Sequence, residues 1–116
     1  MSNVTIFHNP RCSKSRQTLA LLEENGVEPS IVKYLETPPS ADELKAVLSK
    51  LGISARELLR TKEAEYKEAG LDNQELSEDE VIARMIEFPK LIERPIVIKG
   101  DAARIGRPPE SVLEIL

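Results

Sequence analysis

The stretch from Val4 to Leu35 constrains the fold most. Val4-Thr5-Ile6-Phe7 is a continuous apolar and β-branched run of the kind found in buried strands, and an amphipathic pattern from Ser15 to Glu24 follows it. Thr18, Leu19, Leu21 and Leu22 form the apolar stripe of that helix, and Asn25-Gly26 supplies its stop signal. Ser30 to Leu35 then has the composition of a second strand. Two strands joined through a helix pair in parallel with a right-handed crossover, so the N-terminal third predicts one βαβ unit.

The remainder extends this unit into a mixed sheet. Pro38-Pro39 ends the second strand, and Ser40 with Glu43 predicts a capping box for a helix bearing Leu44, Val47, Leu48 and Leu51. From Ser54 to Phe88 the pattern stays helical in short pieces, with breaks at Gly70 and Asn73 and a new start at Ser77-Glu78-Asp79-Glu80. Pro95-Ile96-Val97-Ile98 predicts a third strand that starts at a proline, where a missing N–H is tolerated. A turn at Lys99-Gly100-Asp101, a strand near Ala103 to Ile105 and a last helix opened by Pro109 complete the order. The expectation is an α/β fold, β-α-β, helices, β-β-α, as a single domain over residues 1–116 with a helical insertion at about 40–88. A chain of 116 residues is long enough to bury one core without disulfide or metal staples.

Composition narrows the function classes. A net charge of −4 argues against a general nucleic-acid binder, which needs a basic face to neutralise phosphates. No apolar run approaches the ~18 residues needed to span a bilayer. The N-terminus lacks a basic segment followed by a long apolar stretch, so no secretory signal is read. One cysteine forms no internal disulfide, and a reducing, cytoplasmic setting is the default expectation.

That cysteine, Cys12, lies in His8-Asn9-Pro10-Arg11-Cys12-Ser13-Lys14-Ser15-Arg16, between the first strand and the first helix. A lone cysteine is most often a small buried hydrophobe. Flanking Arg11, Ser13 and Lys14 make an apolar niche a poor fit, and a strand-to-helix turn places the sulfur where unpaired backbone N–H groups favour an anion. A free thiol is only about 3% thiolate at neutral pH, so a nucleophilic role demands that the site stabilise the anion. Lowering a pKa by about two units takes about 2.7 kcal/mol, and a helix N-terminus gives about 0.3–1, at most about 2. Cations must add to it. His8, Arg11, Lys14 and Arg16 are the local candidates, His8 as imidazolium and Arg16 from one helical turn along. An ordinary hydrogen-bonded histidine fits position 8 equally well. Ser15 is placed to donate its hydroxyl to the thiolate or to a bound oxyanion.

Together with Glu93-Arg94-Pro95-Ile96-Val97 and Gly106-Arg107-Pro108, the His8-to-Arg16 segment resembles the arsenate reductases that use glutathione and glutaredoxin, a likeness that runs from Val4 to Leu116. It implies a thioredoxin-like fold with a helical insertion and a cis Arg94-Pro95 peptide. It implies that Cys12 is the nucleophile on arsenate, that His8 helps ionise it, and that Arg60, Arg94 and Arg107 hold the oxyanion. No metal or bound cofactor is implied; arsenate, glutathione and glutaredoxin are the expected substrate and partners. Read on spacing alone, Arg60 is a solvated residue on a charged helix face, and Arg107 caps a helix start or pairs with Glu110. The oxyanion role of the three arginines therefore rests mainly on the resemblance.

The chemistry agrees with that carry-over. Guanidinium forks suit a tetrahedral oxyanion, and a single thiol requires a second thiol from outside to complete a two-electron reduction. A Cys-x-x-Cys redox pair is excluded by Ser15, and a phosphatase-type Cys-x5-Arg loop by Thr18. Some members of the family have small neutral residues just after the cysteine, whereas Ser13-Lys14 here, with Arg11 before it, brings extra positive charge near the sulfur. Two other readings keep Cys12 or the fold but change the activity. One is a monothiol oxidoreductase acting on glutathione mixed disulfides. The other is an Spx-type regulator that binds RNA polymerase, for which the acidic stretch Glu63 to Glu80 offers a surface but the usual Cys-x-x-Cys switch is lacking.

Overall fold

In a computed structural model, described for residues 4–116, four strands form one mixed sheet. The elements are β1 (Val4–Phe7), α1 (Ser13–Glu24), β2 (Ser30–Val32), α2 (Ala41–Leu51), α3 (Ala55–Leu58), α4 (Glu65–Glu68), α5 (Glu78–Glu87), β3 (Ile96–Lys99) and β4 (Ala102–Ile105). Short 3-10 helices cover Pro89–Leu91 and Pro109–Ile115. The strand order is β2-β1-β3-β4. β1 runs parallel to β2, with Ile6 opposite Ile31, and antiparallel to β3, with Ile6 opposite Val97. β3 and β4 form a hairpin turned at Gly100, whose φ of 59° is the left-handed conformation that a glycine adopts without steric cost.

The chain divides into two compact units, Met1–Thr37 with Arg94–Leu116, and Pro38–Glu93. In the first, Val4, Ile6 and Val97 pack with Leu22 of α1 and Val112 of the C-terminal 3-10 helix to form a dry core, flanked by Leu19, Val27 and Ile115. Alternation along β1 sends Phe7 to the opposite face, where its ring stacks on Tyr34 at a centroid distance of 6.4 Å. This unit has the architecture expected of a thioredoxin-like α/β fold.

Two local features differ from the sequence reading. β2 ends at Val32 and does not reach Leu35, because the Lys33 carbonyl accepts from the Glu36 and Thr37 N–H groups and turns the chain. The strand propensity of Tyr34 is overridden by burial of its ring against Phe7. The last helix is 3-10 in type, started by Pro109 in its first turn.

The second unit is helical. Ser40, Ser54 and Ser77 each close a reciprocal capping box, with Glu43, Glu57 and Glu80. The unit buries Leu44, Leu48, Leu58, Leu71, Ile82 and Met85. Arg56 donates to the carbonyls of Leu71 and Asn73, and Arg84 to that of Ala69, so two guanidinium groups satisfy the backbone of the loop that follows α4. Among the described residues no helix is long and apolar enough to cross a membrane.

Candidate active site

The site lies in the first unit, at the carboxyl end of β1, where ligands gather in open α/β sheets. The loop from His8 to Cys12 leaves the strand and is folded by its own polar groups. Asn9 Oδ1 accepts from the Arg11 N–H at 3.0 Å, and the Asn9 carbonyl accepts from the Cys12 N–H at 3.0 Å. This is the local turn for which an Asn-Pro pair is suited. Cys12 is therefore the N-cap of α1, with φ −94° and ψ 123°, and its carbonyl accepts from the Arg16 N–H. Its side chain makes no capping hydrogen bond, and the first turn of α1 contains no acidic residue. The half-exposed sulfur therefore meets the positive end of the helix dipole with no carboxylate from that turn against it.

The cation that reaches the sulfur comes from 95 positions away in sequence. Arg107 Nη2 donates to Cys12 Sγ at 3.7 Å, while Arg107 Nε donates to the Arg94 carbonyl at 2.8 Å. The Arg94-Pro95 peptide is cis, as the resemblance implied, and so is Arg107-Pro108. Pro95 is buried, Arg94 half-buried and Arg107 exposed. The segments that lead into β3 and out of β4 thus meet in front of α1, joined also by the Gly106 N–H donating to the Pro95 carbonyl at 2.9 Å.

Gly106 is the residue that lets them meet. A Cβ there would lie 2.5 Å from Thr18 Oγ1 and 2.7 Å from Pro95 Cγ, too close on both sides. Thr18 is fully buried and its hydroxyl donates to the Lys14 carbonyl, so it has no free direction to yield. Gly106→Ala is expected to cost about 1–3 kcal/mol, the usual range for overpacking, and to lower the thermal midpoint by several degrees for a chain of this size. Calorimetry or thermal circular dichroism measures it; an unchanged midpoint would contradict the contact.

The local candidates are used differently from the sequence expectation. Ser15 is fully buried, and its hydroxyl faces His8 Nδ1 at 2.6 Å and accepts from the Asn9 N–H at 3.0 Å, which commits it to shaping the loop. Arg16 Nη1 donates to the Pro10 carbonyl at 3.0 Å and clamps the same loop. His8 is buried, anchored by its N–H on the Val32 carbonyl, and its pKa is lowered from 6.5 by burial first, then by the charges of Lys33 and Arg16. Burial and these two charges both disfavour the imidazolium form at position 8, beside the loop that carries Cys12. Sequence reasoning missed this because Lys33 approaches from the turn after β2 and the desolvation arises only on folding.

A pH prediction follows from this histidine. Its depressed folded pKa means that the native state binds fewer protons than the unfolded chain below pH 6.5. Its contribution is complete above pH 6.5 and is lost as pH falls through the lower folded value. Urea midpoints are expected to decline between pH 7 and 5, before the carboxylates titrate, and His8→Gln is expected to flatten that slope. An equal slope in both proteins would remove the assignment.

Arg60 belongs to the helical unit. Its N–H donates to the Leu91 carbonyl at 2.8 Å, and its guanidinium pairs with Glu63 at 3.4 Å with a side chain 21% exposed, so it is not the solvated residue that spacing alone suggests. Arg11 and Lys14 are exposed. Among the described residues no group of three or more His, Cys, Asp or Glu side chains is placed to hold a metal ion.

A four-stranded mixed sheet with a single cysteine at the N-cap of α1 and a cis proline immediately before β3 defines a thioredoxin-like protein. The chain belongs to the ArsC family, whose pattern it matches over residues 7–115. It is 55% identical over 115 residues to a protein named arsenate reductase from Haemophilus influenzae, covering 98% of this chain and 99% of that one. It is also 60% identical over 114 residues to the uncharacterized protein YfgD of Escherichia coli K12, covering 97% and 96% of the two chains. The solved structure of an arsenate reductase from Vibrio cholerae superposes with a TM-score of 0.96 at 56% identity, over 99% of this chain and 98% of that one.

Proposed function

We propose that this protein reduces arsenate to arsenite through a covalent adduct on Cys12, with glutathione and glutaredoxin as electron donors. The observation that carries the reading is the Arg107 guanidinium seated on Cys12 Sγ at 3.7 Å while its Nε is fixed on the Arg94 carbonyl. The names of the relatives, arsenate reductases at 55–56% identity, support the choice of substrate.

Arg107 and the N-terminus of α1 offer donors to an anion that approaches Cys12 Sγ. Arg94, whose carbonyl holds Arg107 Nε, is the candidate for a second guanidinium from the same pair of loops. Arsenate is tetrahedral and carries one to two negative charges near neutral pH, so planar forks of N–H donors suit its oxygens. In the first step Cys12 Sγ attacks arsenic(V), an S–As bond forms, an As–O bond breaks, and the departing oxygen leaves as water after protonation. Arsenic is still pentavalent.

In the second step the thiolate of glutathione attacks Cys12 Sγ. An S–S bond forms, the S–As bond breaks, and its electron pair stays on arsenic, which departs as arsenite. The two thiols have lost two electrons and arsenic has gained two. The resulting mixed disulfide is cleared by thiol exchange with glutaredoxin, which carries away the glutathione sulfur and returns Cys12 as thiolate. A chain with one cysteine has no internal thiol for either exchange. His8, bonded to Ser15 and with its charged form disfavoured by burial, positions the Cys12 loop.

The test of the donor assignment is steady-state arsenite production with each donor omitted in turn. Turnover is expected to require glutathione and to slow strongly without glutaredoxin, with thioredoxin unable to replace them. Equal turnover with thioredoxin alone would overturn the donor assignment, and no arsenite under any donor set would overturn the activity.

A further inference from the structure

A cleft of about 290 Å³ opens on the side of the Cys12 loop that faces β2. Its walls are His8, Pro10 and Arg11 from the loop, and Lys33, Leu35 and Glu36 from the turn after β2. None of these residues supplies a hydrogen bond to the sulfur, and the oxyanion reading uses neither Lys33 nor Glu36. The cleft is small beside the ~300–1,000 Å³ common for whole-ligand sites, so it holds one end of a flexible molecule.

We infer that this cleft receives the γ-glutamyl head of glutathione, with Arg11 and Lys33 on its α-carboxylate and Glu36 on its α-ammonium. The inference rests on the reading of glutathione as the second thiol and gives that co-substrate a place. An α-amino acid head is a carboxylate and an ammonium on one carbon, and the cleft offers two cations and one carboxylate across a shared hollow. Leu35 is 38% exposed, leaving an apolar wall for the γ-glutamyl methylenes. Arg11 directly precedes Cys12, so a head seated against it leaves the cysteinyl thiol to extend one residue further, toward Sγ. The turn that makes the cleft is the one that ends β2, where the Lys33 carbonyl takes two N–H groups and brings Lys33 and Glu36 together.

The test uses the intact protein and no arsenate. Oxidised glutathione reacts with Cys12 by thiol exchange, in which the Cys12–glutathione S–S bond forms, the glutathione disulfide breaks, and one glutathione thiolate leaves. The rate of this modification, followed by mass spectrometry, is compared with that for hydroxyethyl disulfide, which has no amino-acid head. Wild type is expected to prefer the glutathione disulfide, and Lys33→Ala to lose about tenfold of that preference, the scale of one charge-assisted hydrogen bond. Lys14→Ala removes the same charge outside the cleft and is expected to keep the preference.

Glu36→Gln separates a seat from a general field. A field acting on an anionic reagent is strengthened when a carboxylate is neutralised, whereas a seat for the ammonium is weakened, so a reduced preference is expected. Unchanged preference in both Lys33→Ala and Glu36→Gln, or an increase in Glu36→Gln, would overturn the assignment. Rates with hydroxyethyl disulfide, expected to stay constant, show that the variants are folded and that Cys12 is reactive. If arsenite is never produced while this selectivity holds, the cleft stands and the arsenate chemistry fails. If arsenate turnover needs glutathione but the variants keep full selectivity, the chemistry stands and the cleft fails.

Discussion

Cys12→Ser is expected to reduce arsenate-dependent turnover to the uncatalysed background in an assay coupled to NADPH through glutathione reductase and glutaredoxin. A serine hydroxyl does not ionise near neutral pH and forms no disulfide, so both the arsenic adduct and its resolution are lost together. The fold gives an internal control. Cys12 is the N-cap of α1 and makes no side-chain capping bond, whereas serine is among the favoured N-cap residues. The thermal midpoint of the variant is therefore expected to hold or to rise slightly, which separates lost chemistry from lost structure. Residual turnover at a substantial fraction of wild type would mean that the sulfur is not the nucleophile.

Arg107→Ala is expected to raise the arsenate KM by roughly ten- to a hundredfold, since hydrogen bonds to charged groups are worth about 1.5–3 kcal/mol. Exposure of Arg107 to solvent favours the lower part of that range. Two further readouts give the result its meaning. Alkylation of Cys12 by neutral iodoacetamide is expected to slow, because the guanidinium no longer faces the sulfur at 3.7 Å. Arg107→Lys is expected to keep much of the alkylation rate but little of the arsenate affinity, because an ammonium preserves the charge and loses the planar fork. Wild-type arsenate KM in both variants would remove Arg107 from the oxyanion site.

The scaffold of this site was legible in sequence to the extent that it is local. Val4 to Phe7, the stripe of α1 and the Ser40–Glu43 box each follow from neighbouring residues, and each is found where periodicity and capping place it. Sequence places Cys12 at the strand-to-helix turn but starts the helix at Ser15, whereas α1 begins at Ser13 and makes Cys12 its N-cap. β2 is shorter than its composition suggests because a tertiary contact, Tyr34 on Phe7, outweighs the strand propensity of the residues beyond Val32.

The chemistry of the site was less legible, because it depends on distances between segments far apart in the chain. Nothing near Arg107 in sequence indicates that its guanidinium reaches Cys12, and spacing alone suggested a helix cap. Ser15 and Arg16 have the right residue types beside a reactive thiol, yet their hydrogen bonds go to His8, Asn9 and the Pro10 carbonyl. They hold the loop still, a role for which sequence carries little signal. Gly106 is similar: its small size matters only because Thr18 and Pro95 close on it from α1 and from the start of β3.

The central claim is that one sulfur, Cys12, carries arsenic first and glutathione next. A single-turnover experiment tests it most directly: reduced protein is mixed with arsenate and glutathione without glutaredoxin, arsenite is quantified, and the protein is weighed by mass spectrometry. One arsenite is expected for each Cys12–glutathione mixed disulfide formed, with both absent in Cys12→Ser. Arsenite released without the disulfide, or the disulfide formed without arsenite at an arsenate-independent rate, would contradict it.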